Sequence, residues 1–217
     1  MKKLFTTLLA ASLMLVGTQA FAQLSAGVGY INANEKSTYT GSDGTKTTTT
    51  APLNGFYLGG QYDMPIPAVS GLGANAGVYA NFLFGSKHYD GILGFGAGTN
   101  KITDITVNLP INATFGFDIS GDTNVFAYAG PIFQFGLANK STYTPDSNSS
   151  SSTTNDNYAG DNPNRNRFNL LIGGGIGAQV AGIRIVLGVD QSLLNYTTAS
   201  KTVASRFQLK LGAGYAF

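Results

Sequence analysis

The chain has no cysteine, no tryptophan and a single histidine, and it carries few charges for its 217 residues. Without cysteine, a disulfide-stabilised scaffold and a lipid-anchored lipoprotein are both excluded. One histidine and scattered carboxylates give no group with metal-ligand spacing, so we expect no metal and no other cofactor. Charged residues make up 11% of the chain, whereas a soluble domain usually carries about 25%. This shortage of charge indicates that much of the outside of the protein faces lipid.

Long apolar runs are also scarce. One run, residues 4–16, follows two lysines and leads to the small-x-small sequence Ala20-Phe21-Ala22. It is too short to span a bilayer as a helix, and its flanks are those of a secretory signal peptide. We therefore predict a signal peptide over residues 1–22 and a single domain over residues 23–217. Without the two lysines, 11 basic residues face 11 acidic ones, and this balance argues against nucleic acid as a partner.

Apolar and polar residues alternate along much of the chain, most clearly in residues 203–217. Successive side chains of a β-strand point to opposite faces. This segment therefore has an apolar face that ends at Phe217 and a second face that carries Arg206 and Lys210. A strand with lipid on one side and a polar lumen on the other has this pattern. The alternation recurs in eight segments: residues 24–34, 55–63, 74–85, 105–117, 124–137, 168–180, 183–190 and 203–217.

The connections between these segments are alternately long and short, as external loops and periplasmic turns are in outer-membrane barrels. The long ones include residues 35–50, 86–103 and 138–166, which we interpret as exposed loops. We predict an all-β fold, an eight-stranded antiparallel up-and-down transmembrane β-barrel in the bacterial outer membrane, with both termini in the periplasm. A soluble lipocalin-like barrel, the structural alternative, would need an apolar interior. Four loop tyrosines are possible contacts for an external ligand or surface partner: Tyr39, Tyr89, Tyr143 and Tyr158.

The two tight turns predict how neighbouring strands align. A two-residue turn at Ala181-Gly182 places Gln179 opposite Arg184, so that polar residues meet polar ones. The same reasoning at Ser120-Gly121 places Phe126 on the lipid face. Tyr128, two residues later, would share that face.

Beyond this point the fifth segment changes its alternation. Its apolar residues become Phe133, Phe135 and Leu137, which belong to the other phase. We interpret the change as a bulge at Gly130-Pro131, where the missing N–H of proline is tolerated. Pro110 would then lie directly across from Pro131.

Eight strands enclose an interior that is just wide enough for side chains to fill. Since buried charges need partners, we expect a closed, hydrogen-bonded polar lumen in which Asp190 lies close to Lys210. A narrow solute path lined by Arg184, Arg206 and Lys210 is the alternative. The predicted lumen cluster consists of Gln179, Arg184, Asp190, Arg206, Gln208 and Lys210.

The end of the signal peptide, the alternating segments and the closing sequence LGAGYAF, residues 211–217, carry a family resemblance. Over residues 23–217 the chain resembles the small eight-stranded outer-membrane β-barrels of Gram-negative bacteria, the OmpA/OmpX-like family. The resemblance implies that Tyr215 and Phe217 form the signal read by the barrel-assembly machinery. We expect a monomer in contact with outer-membrane lipid and lipopolysaccharide, and no peptidoglycan-binding domain. A shared fold does not by itself assign a function.

Some barrels of this kind modify lipid A with a histidine and a serine or aspartate near the external rim. His88, the one histidine, has Ser86 and Asp90 near it in sequence, but proximity in sequence does not make a catalytic site. We predict a non-enzymatic barrel with a structural or surface-interaction role. The alternatives are a partner-binding barrel in an envelope assembly or secretion system, a narrow solute pore, and a lipid-A-modifying enzyme.

Overall fold

The computed structural model describes residues 23–66, 69–90, 97–120, 123–147, 151–159 and 164–217. The predicted signal peptide, residues 1–22, lies outside the described residues. Within the described ranges, no helix is long and apolar enough to cross a bilayer. These ranges contain nine strands: β1 (Gln23–Thr40), β2 (Lys46–Pro65), β3 (Leu72–Tyr89), β4 (Gly98–Ser120), β5 (Thr123–Pro145), β6 (Thr153–Asp156), β7 (Phe168–Val180), β8 (Ile183–Ser192) and β9 (Thr202–Ala216).

Eight of these strands form a closed antiparallel ring. Each pairs with the strand before and after it, while the short β6 pairs with the outer part of β5. The ring closes where β1 pairs with β9, from Ser25 opposite Ala216 to Tyr39 opposite Thr202. Closure leaves no strand edge to be exposed to lipid, where an unpaired N–H or C=O group is very unfavourable. The predicted eight-stranded up-and-down barrel is confirmed.

The hairpin of β7 and β8 has the predicted register, with Gln179 opposite Arg184. Ala181 and Gly182 form its turn with φ angles of 48° and 84°. Two positive φ angles are typical of a type I′ turn, whose twist fits that of the flanking strands. Glycine adopts this conformation without strain, whereas alanine does so at a small energetic cost.

β5 keeps one phase from Phe126 to Gly136, so the predicted bulge at Gly130-Pro131 is wrong. The phase changes further along, where a register shift between Ile105 and Thr106 skips Leu137 on β5. The register of β5 against β7 runs through both residues without a shift, and Pro110 faces Ile132 rather than Pro131. The prediction failed because it assumed a regular ladder between the turn and Phe126. An irregularity between Asp118 and Ser120 shifts the register of β4 against β5.

As a consequence, Phe126 and Tyr128 point into the lumen and not to the lipid as predicted. Phe126 is buried, and its ring centroid lies 4.2 Å from the guanidinium carbon of Arg184. Glycines on neighbouring strands make the space for both rings. A Cβ at Gly177 would clash with the Phe126 ring, and a Cβ at Gly175 would lie 2.7 Å from Tyr128 Oη. Apolar alternation therefore does not separate outside from inside where aromatic rings fill the lumen.

The outward face of the ring is apolar over a band that a membrane would cover. About ten residues of a tilted strand span the ~25 Å apolar band of such barrels, and the outward run of β9 from Phe207 to Phe217 has this length. Exposed aromatic residues flank the band at both ends, as in the interfacial girdles of membrane barrels. They are Tyr30, Phe56, Phe84, Phe135, Phe168 and Phe207 towards the long connections, and Phe115, Phe117, Tyr215 and Phe217 towards the short turns.

The strands continue beyond this band, so the predicted external loops are in large part strands. On β1 the outward residues turn polar after Tyr30, at Asn32 and Asn34, yet its pairing with β2 continues to Thr40. β4 and β5 likewise pair as far as Gly98 and Pro145. Outside lipid an outward position needs no apolar residue, so the alternation disappears while the hydrogen-bond ladder continues. The threonines that are abundant here favour extended structure.

We expect Gly175→Ala to destabilise the barrel by about 1–3 kcal/mol, the usual cost of overpacking. A Cβ at Gly175 would clash with the Leu187 carbonyl oxygen and the Tyr128 hydroxyl. The urea midpoint of the refolded barrel, followed by heat-modifiable migration on gels, measures the change. Gly174→Ala is the matched control, because Gly174 lies on the outward face with its nearest atom, the Tyr128 carbonyl oxygen, at 3.0 Å. Equal effects of the two substitutions would contradict the assigned faces.

Candidate functional site

The lumen is the part of the barrel where the polar residues converge. At the end of the short turns it opens into a vestibule of about 800 Å³. Arg184 and Asp63 close the inner end of this vestibule with an ion pair at 2.6 Å. Gln61 Nε2 donates a hydrogen bond to Asp63 Oδ1 at 2.9 Å, and Tyr79 Oη donates to Gln61 Oε1 at 2.7 Å. These four side chains form a first polar barrier across the lumen.

A second ion pair, between Asp190 and Lys210, lies in the middle of the lumen. Lys210 Nζ also lies 6.0 Å from the centroid of the Tyr57 ring. The cavity beside this pair measures about 70 Å³, and Tyr79 and Tyr128 also line it. Since a water molecule takes up about 30 Å³ in the liquid, this space holds about two waters.

Amide side chains connect the strands between the ion pairs. Gln134 Nε2 donates a hydrogen bond to Asn108 Oδ1 at 3.1 Å. Asn169 Nδ2 donates to Gln134 Oε1 at 3.3 Å and to Ser192 Oγ at 3.1 Å. Ser192 Oγ in turn accepts a hydrogen bond from the backbone N–H of Arg206 at 3.1 Å. All five residues are buried. The chain of bonds satisfies part of their hydrogen-bonding capacity, while Asn108 Nδ2 and Asn169 Oδ1 have no partner.

An apolar layer interrupts the polar lumen, contrary to the predicted all-polar interior. Ile31, Leu53 and Leu83 have no exposed surface and pack together with Ala33 and Tyr57. Each of the three large aliphatic residues is out of phase with the lipid-facing residues of its own strand. That phase was the signal in the sequence. For Leu83 it was obscured because Phe82 and Phe84 are apolar as well, and Leu53 precedes the predicted second segment, residues 55–63.

A third group of charges closes the lumen towards the long connections. Arg206 Nη2 lies 3.0 Å from Glu35 Oε2 and 2.6 Å from Asp104 Oδ2. Asn139 Nδ2 donates a hydrogen bond to Asp104 Oδ1 at 2.8 Å. Arg165 pairs with the same glutamate, with its Nη1 at 3.1 Å from Oε2 and its Nη2 against Oε1. We call Glu35, Asp104, Arg165 and Arg206 the external ion cluster.

The external ion cluster ties the connection between β6 and β7 to the barrel, because Arg165 belongs to that connection. The backbone N–H of Arg165 donates to the Asn157 carbonyl oxygen at 3.1 Å. The ring of Tyr196, which is 5% exposed, lies 5.2 Å from the guanidinium carbon of Arg165 and 5.6 Å from that of Arg206. A positive group over an aromatic face is favourable when both are desolvated.

Glu35 lies beyond the apolar band, and its environment changes its acidity. Burial by itself raises the pKa of this carboxyl group, but the charges of Arg206 and Arg165 and their hydrogen bonds outweigh burial and lower the pKa to about 2. Glu35 is therefore ionised in the folded protein at any ordinary pH.

Sequence reasoning missed three members of this cluster. Glu35 and Arg165 fall in segments that were interpreted as loops, and strand alternation cannot predict the direction of a side chain in a loop. The inward direction of Asp104 could have been predicted from the sequence, because this residue precedes the inward-facing Thr106 by two positions and therefore lies on the same face of the strand.

The predicted lumen residues are all inward-facing, but they lie at different depths and do not form one cluster. Gln179 lies near the vestibule, where its Nε2 donates to Gln23 Oε1 at 3.2 Å. Gln208 is fully buried and faces Asp190 across β8 and β9. The remaining members belong to the three charged groups described above.

The two residues of the predicted assembly signal stand at the outward edge of the barrel. Tyr215 and Phe217 are exposed, and their rings meet edge to face with centroids 5.3 Å apart. The backbone N–H of Phe217 donates to the Leu24 carbonyl oxygen at 2.8 Å. The chain end is thus held in the sheet with its aromatic side chains directed outwards.

The four predicted contact tyrosines differ in their surroundings. Tyr39 is exposed on β1, and Tyr143 lies in β5 opposite Asn100. Tyr158 is partly buried under Arg167, whose guanidinium carbon is 5.0 Å from the ring. Tyr89 ends β3, and its side chain is outside what the structure describes. Tyr158 therefore packs within the protein and is a poor external contact.

His88 lies on the outward face of β3, beyond the apolar band. Its Nδ1 is 3.3 Å from Thr99 Oγ1, and its Nε2 is 3.5 Å from Asp90 Oδ1 and 3.7 Å from Asp146 Oδ2. The hydroxyl next to the ring is thus that of Thr99, not that of Ser86. The side chain of Asp90 is 97% exposed and that of Asp146 is 49% exposed. Among the described residues, no group of three or more His, Cys, Asp or Glu has the geometry to hold a metal ion.

Comparison with solved structures returns outer-membrane proteins. Ail, the attachment invasion locus protein of Yersinia pestis, is 17% identical over 90% of this chain and 99% of its own, with a TM-score of 0.41. OprG from Pseudomonas aeruginosa is 13% identical over 90% and 95%, with a TM-score of 0.45. The outer membrane enzyme PagL is 11% identical over 89% and 98%, with a TM-score of 0.46. No family model and no curated protein matches the chain.

With its eight-stranded ring and apolar outer band, the chain has the fold of the small outer-membrane β-barrels. The solved structures above are too distant in sequence and in superposition to assign a role. Its function must therefore be argued from its own lumen and surfaces.

We expect Glu35→Gln to destabilise the barrel by roughly 3 kcal/mol near neutral pH, because the substitution leaves buried arginine charge without its partner. The folded pKa of about 2 lies below the ordinary value of 4.5 for a glutamate, so this contribution is present above pH 4.5. It declines as the pH falls towards 2. Urea unfolding followed by gel migration or circular dichroism measures it, since the chain has no tryptophan.

The diagnostic quantity is the difference in unfolding free energy between wild type and Glu35→Gln. We expect this difference to shrink between pH 4.5 and 2, where wild-type Glu35 becomes protonated. A difference that stays constant over that range would contradict the ionised cluster.

Proposed function

We propose that this protein is a monomeric, non-enzymatic outer-membrane β-barrel with a closed lumen, whose functional surface is the strand structure that extends beyond the membrane. The observation that carries the proposal is the closure of the lumen at three depths. Arg184 with Asp63, and Arg206 with Asp104 in the external ion cluster, bring opposite charges together across the interior. Lys210 and Asp190 pair between the neighbouring strands β9 and β8 and occupy the middle of the lumen. A bore filled in this way favours a structural or surface role over transport.

The two ends of the barrel support an orientation with both termini in the periplasm. Gln23 and Phe217 lie at the end of the short turns, next to Gly182. The long connections lie at the other end and would face the cell exterior. Lys36 and Lys101 are exposed just beyond the apolar band, where they would face the phosphates of lipopolysaccharide. In this orientation Tyr215 and Phe217 would be presented to the barrel-assembly machinery from the periplasm.

The external strands supply the surface on which a partner could dock. β2 pairs with β3 from Asn54 inwards, and its outer residues 46–53 pair with β1. In the described chain the second edge of residues 46–50 is exposed. An exposed strand edge offers N–H and C=O groups to an extended peptide. This edge favours a surface-interaction role, and it serves a partner in an envelope assembly or secretion system equally well.

We expect the refolded wild-type barrel to give no current steps in a planar bilayer, because its ion pairs fill the bore. Single-channel recording after a check of heat-modifiable migration is the measurement. Arg206→Ala and Lys210→Ala test whether the lumen residues matter, and Lys36→Ala on the outward face is the control.

Stable steps in the wild type would overturn the closed lumen, provided that their size changes in Lys210→Ala and not in Lys36→Ala. Transport would then become the working function, with Arg184, Arg206 and Lys210 lining the path.

A lipid-A-modifying enzyme is the alternative that depends on His88. We expect His88→Ala to leave the acylation pattern of lipid A unchanged, because the carboxylates beside the ring are exposed to water and lie 3.5 Å and 3.7 Å away. Mass spectrometry of lipid A from cells that express wild type, His88→Ala or no barrel makes the comparison. A barrel-dependent change in acylation that disappears in His88→Ala would establish the enzyme instead.

A further inference from the structure

The external mouth of the barrel contains an open cup of about 300 Å³. Residues of β1, β4, β5 and β9 form its wall, together with the connections around Asn157, Asn164 and Tyr196. Glu35 and Arg165 of the external ion cluster lie at its inner end. The volume is at the lower limit of the range for small-molecule sites.

The charged side chains that line the cup form an ion pair with each other. Glu35 Oε1 pairs with Arg165, and Oε2 accepts hydrogen bonds from both Arg165 and Arg206. Among the described residues that line the cup, Glu35 and Arg165 are the charged ones. Because this pair is neutral and its oxygens are engaged, it gives an ionic ligand little to bind.

The rest of the polar lining consists of hydroxyl and amide groups. Ser37, Asn100 and Ser141 contribute it from three different strands. Asn100 Oδ1 is buried and has no hydrogen-bond partner. A buried acceptor without a donor is unfavourable, so rotation of this amide towards a donating ligand hydroxyl in the cup would be favoured.

We propose that the cup binds a neutral carbohydrate of one or two sugar units. Sugar hydroxyls both donate and accept hydrogen bonds, which fits a lining of serine, threonine and asparagine. The ring of Tyr196 is 5% exposed and lies next to both arginines, so it offers little surface for stacking. We therefore expect weak binding, with a Kd on the order of 1 mM. This inference depends on the proposed function in one respect. The proposed orientation decides that the sugar reaches the cup from the cell exterior.

Saturation-transfer NMR on the refolded barrel tests the proposal. The neutral probes are glucose, galactose, N-acetylglucosamine and lactose, and the charged probes are galacturonate and inorganic phosphate. We expect saturable binding of at least one neutral sugar and weaker binding of the charged probes. Asn100→Leu removes the unpaired acceptor and Ser141→Phe fills the cup, and each is expected to weaken the binding at least tenfold.

Lys140→Phe is the matched control, because this exposed neighbour of Ser141 lies on the outward face of β5 and should leave binding unchanged. Heat-modifiable migration verifies that each variant is folded, and Ser141→Phe decides the matter if Asn100→Leu does not fold. Absence of binding by every neutral sugar at concentrations well above the expected Kd would overturn the proposal. So would unchanged binding in Ser141→Phe or tighter binding of a charged probe. None of these results bears on the conductance of the lumen, so the two proposals fail separately.

Discussion

A chain that crosses a bilayer as strands must pair its own backbone N–H and C=O groups, and here the pairing of β1 with β9 completes that requirement. Closure with eight strands also limits the lumen to the width of a few side chains. Every inward residue must then fit against those of the neighbouring strands. The space that Tyr128 occupies exists because Gly175 and Gly188 have no side chain there.

The charges in the lumen follow from the same limit, since an ion in so narrow a space cannot keep its hydration shell. Arg184 on β8 reaches Asp63 on β2, and Arg206 on β9 reaches Asp104 on β4. These partners lie on strands that are not neighbours in the sheet, so the pairs connect opposite walls of the barrel. The external ion cluster adds Arg165 and thereby holds a connection against the mouth. The same contacts span the lumen and form the inner end of the external cup.

Sequence reasoning succeeded where the membrane imposes a pattern. Alternation from Phe207 to Phe217 located β9, and the two-residue turn at Ala181-Gly182 determined the register of β7 and β8. It failed where an apolar residue fills the lumen instead of facing lipid, and where a polar segment forms a strand outside the membrane. Phe126 resembles a lipid-facing residue by composition but fills the lumen, and the threonine-rich residues 46–50 resemble a loop although they extend β2.

The sequence by itself determined the fold class, the approximate strands and the inward-facing polar residues within the apolar band, because a lipid-facing strand alternates with a period of two. The tertiary structure decided which of those residues meet. Glu35, Asp104, Arg165 and Arg206 come from four distant parts of the chain, and their convergence depends on the stagger of the strands around the ring and on the path of one connection. Neither quantity is encoded in a local pattern, so the external ion cluster and the cup above it were visible only in three dimensions.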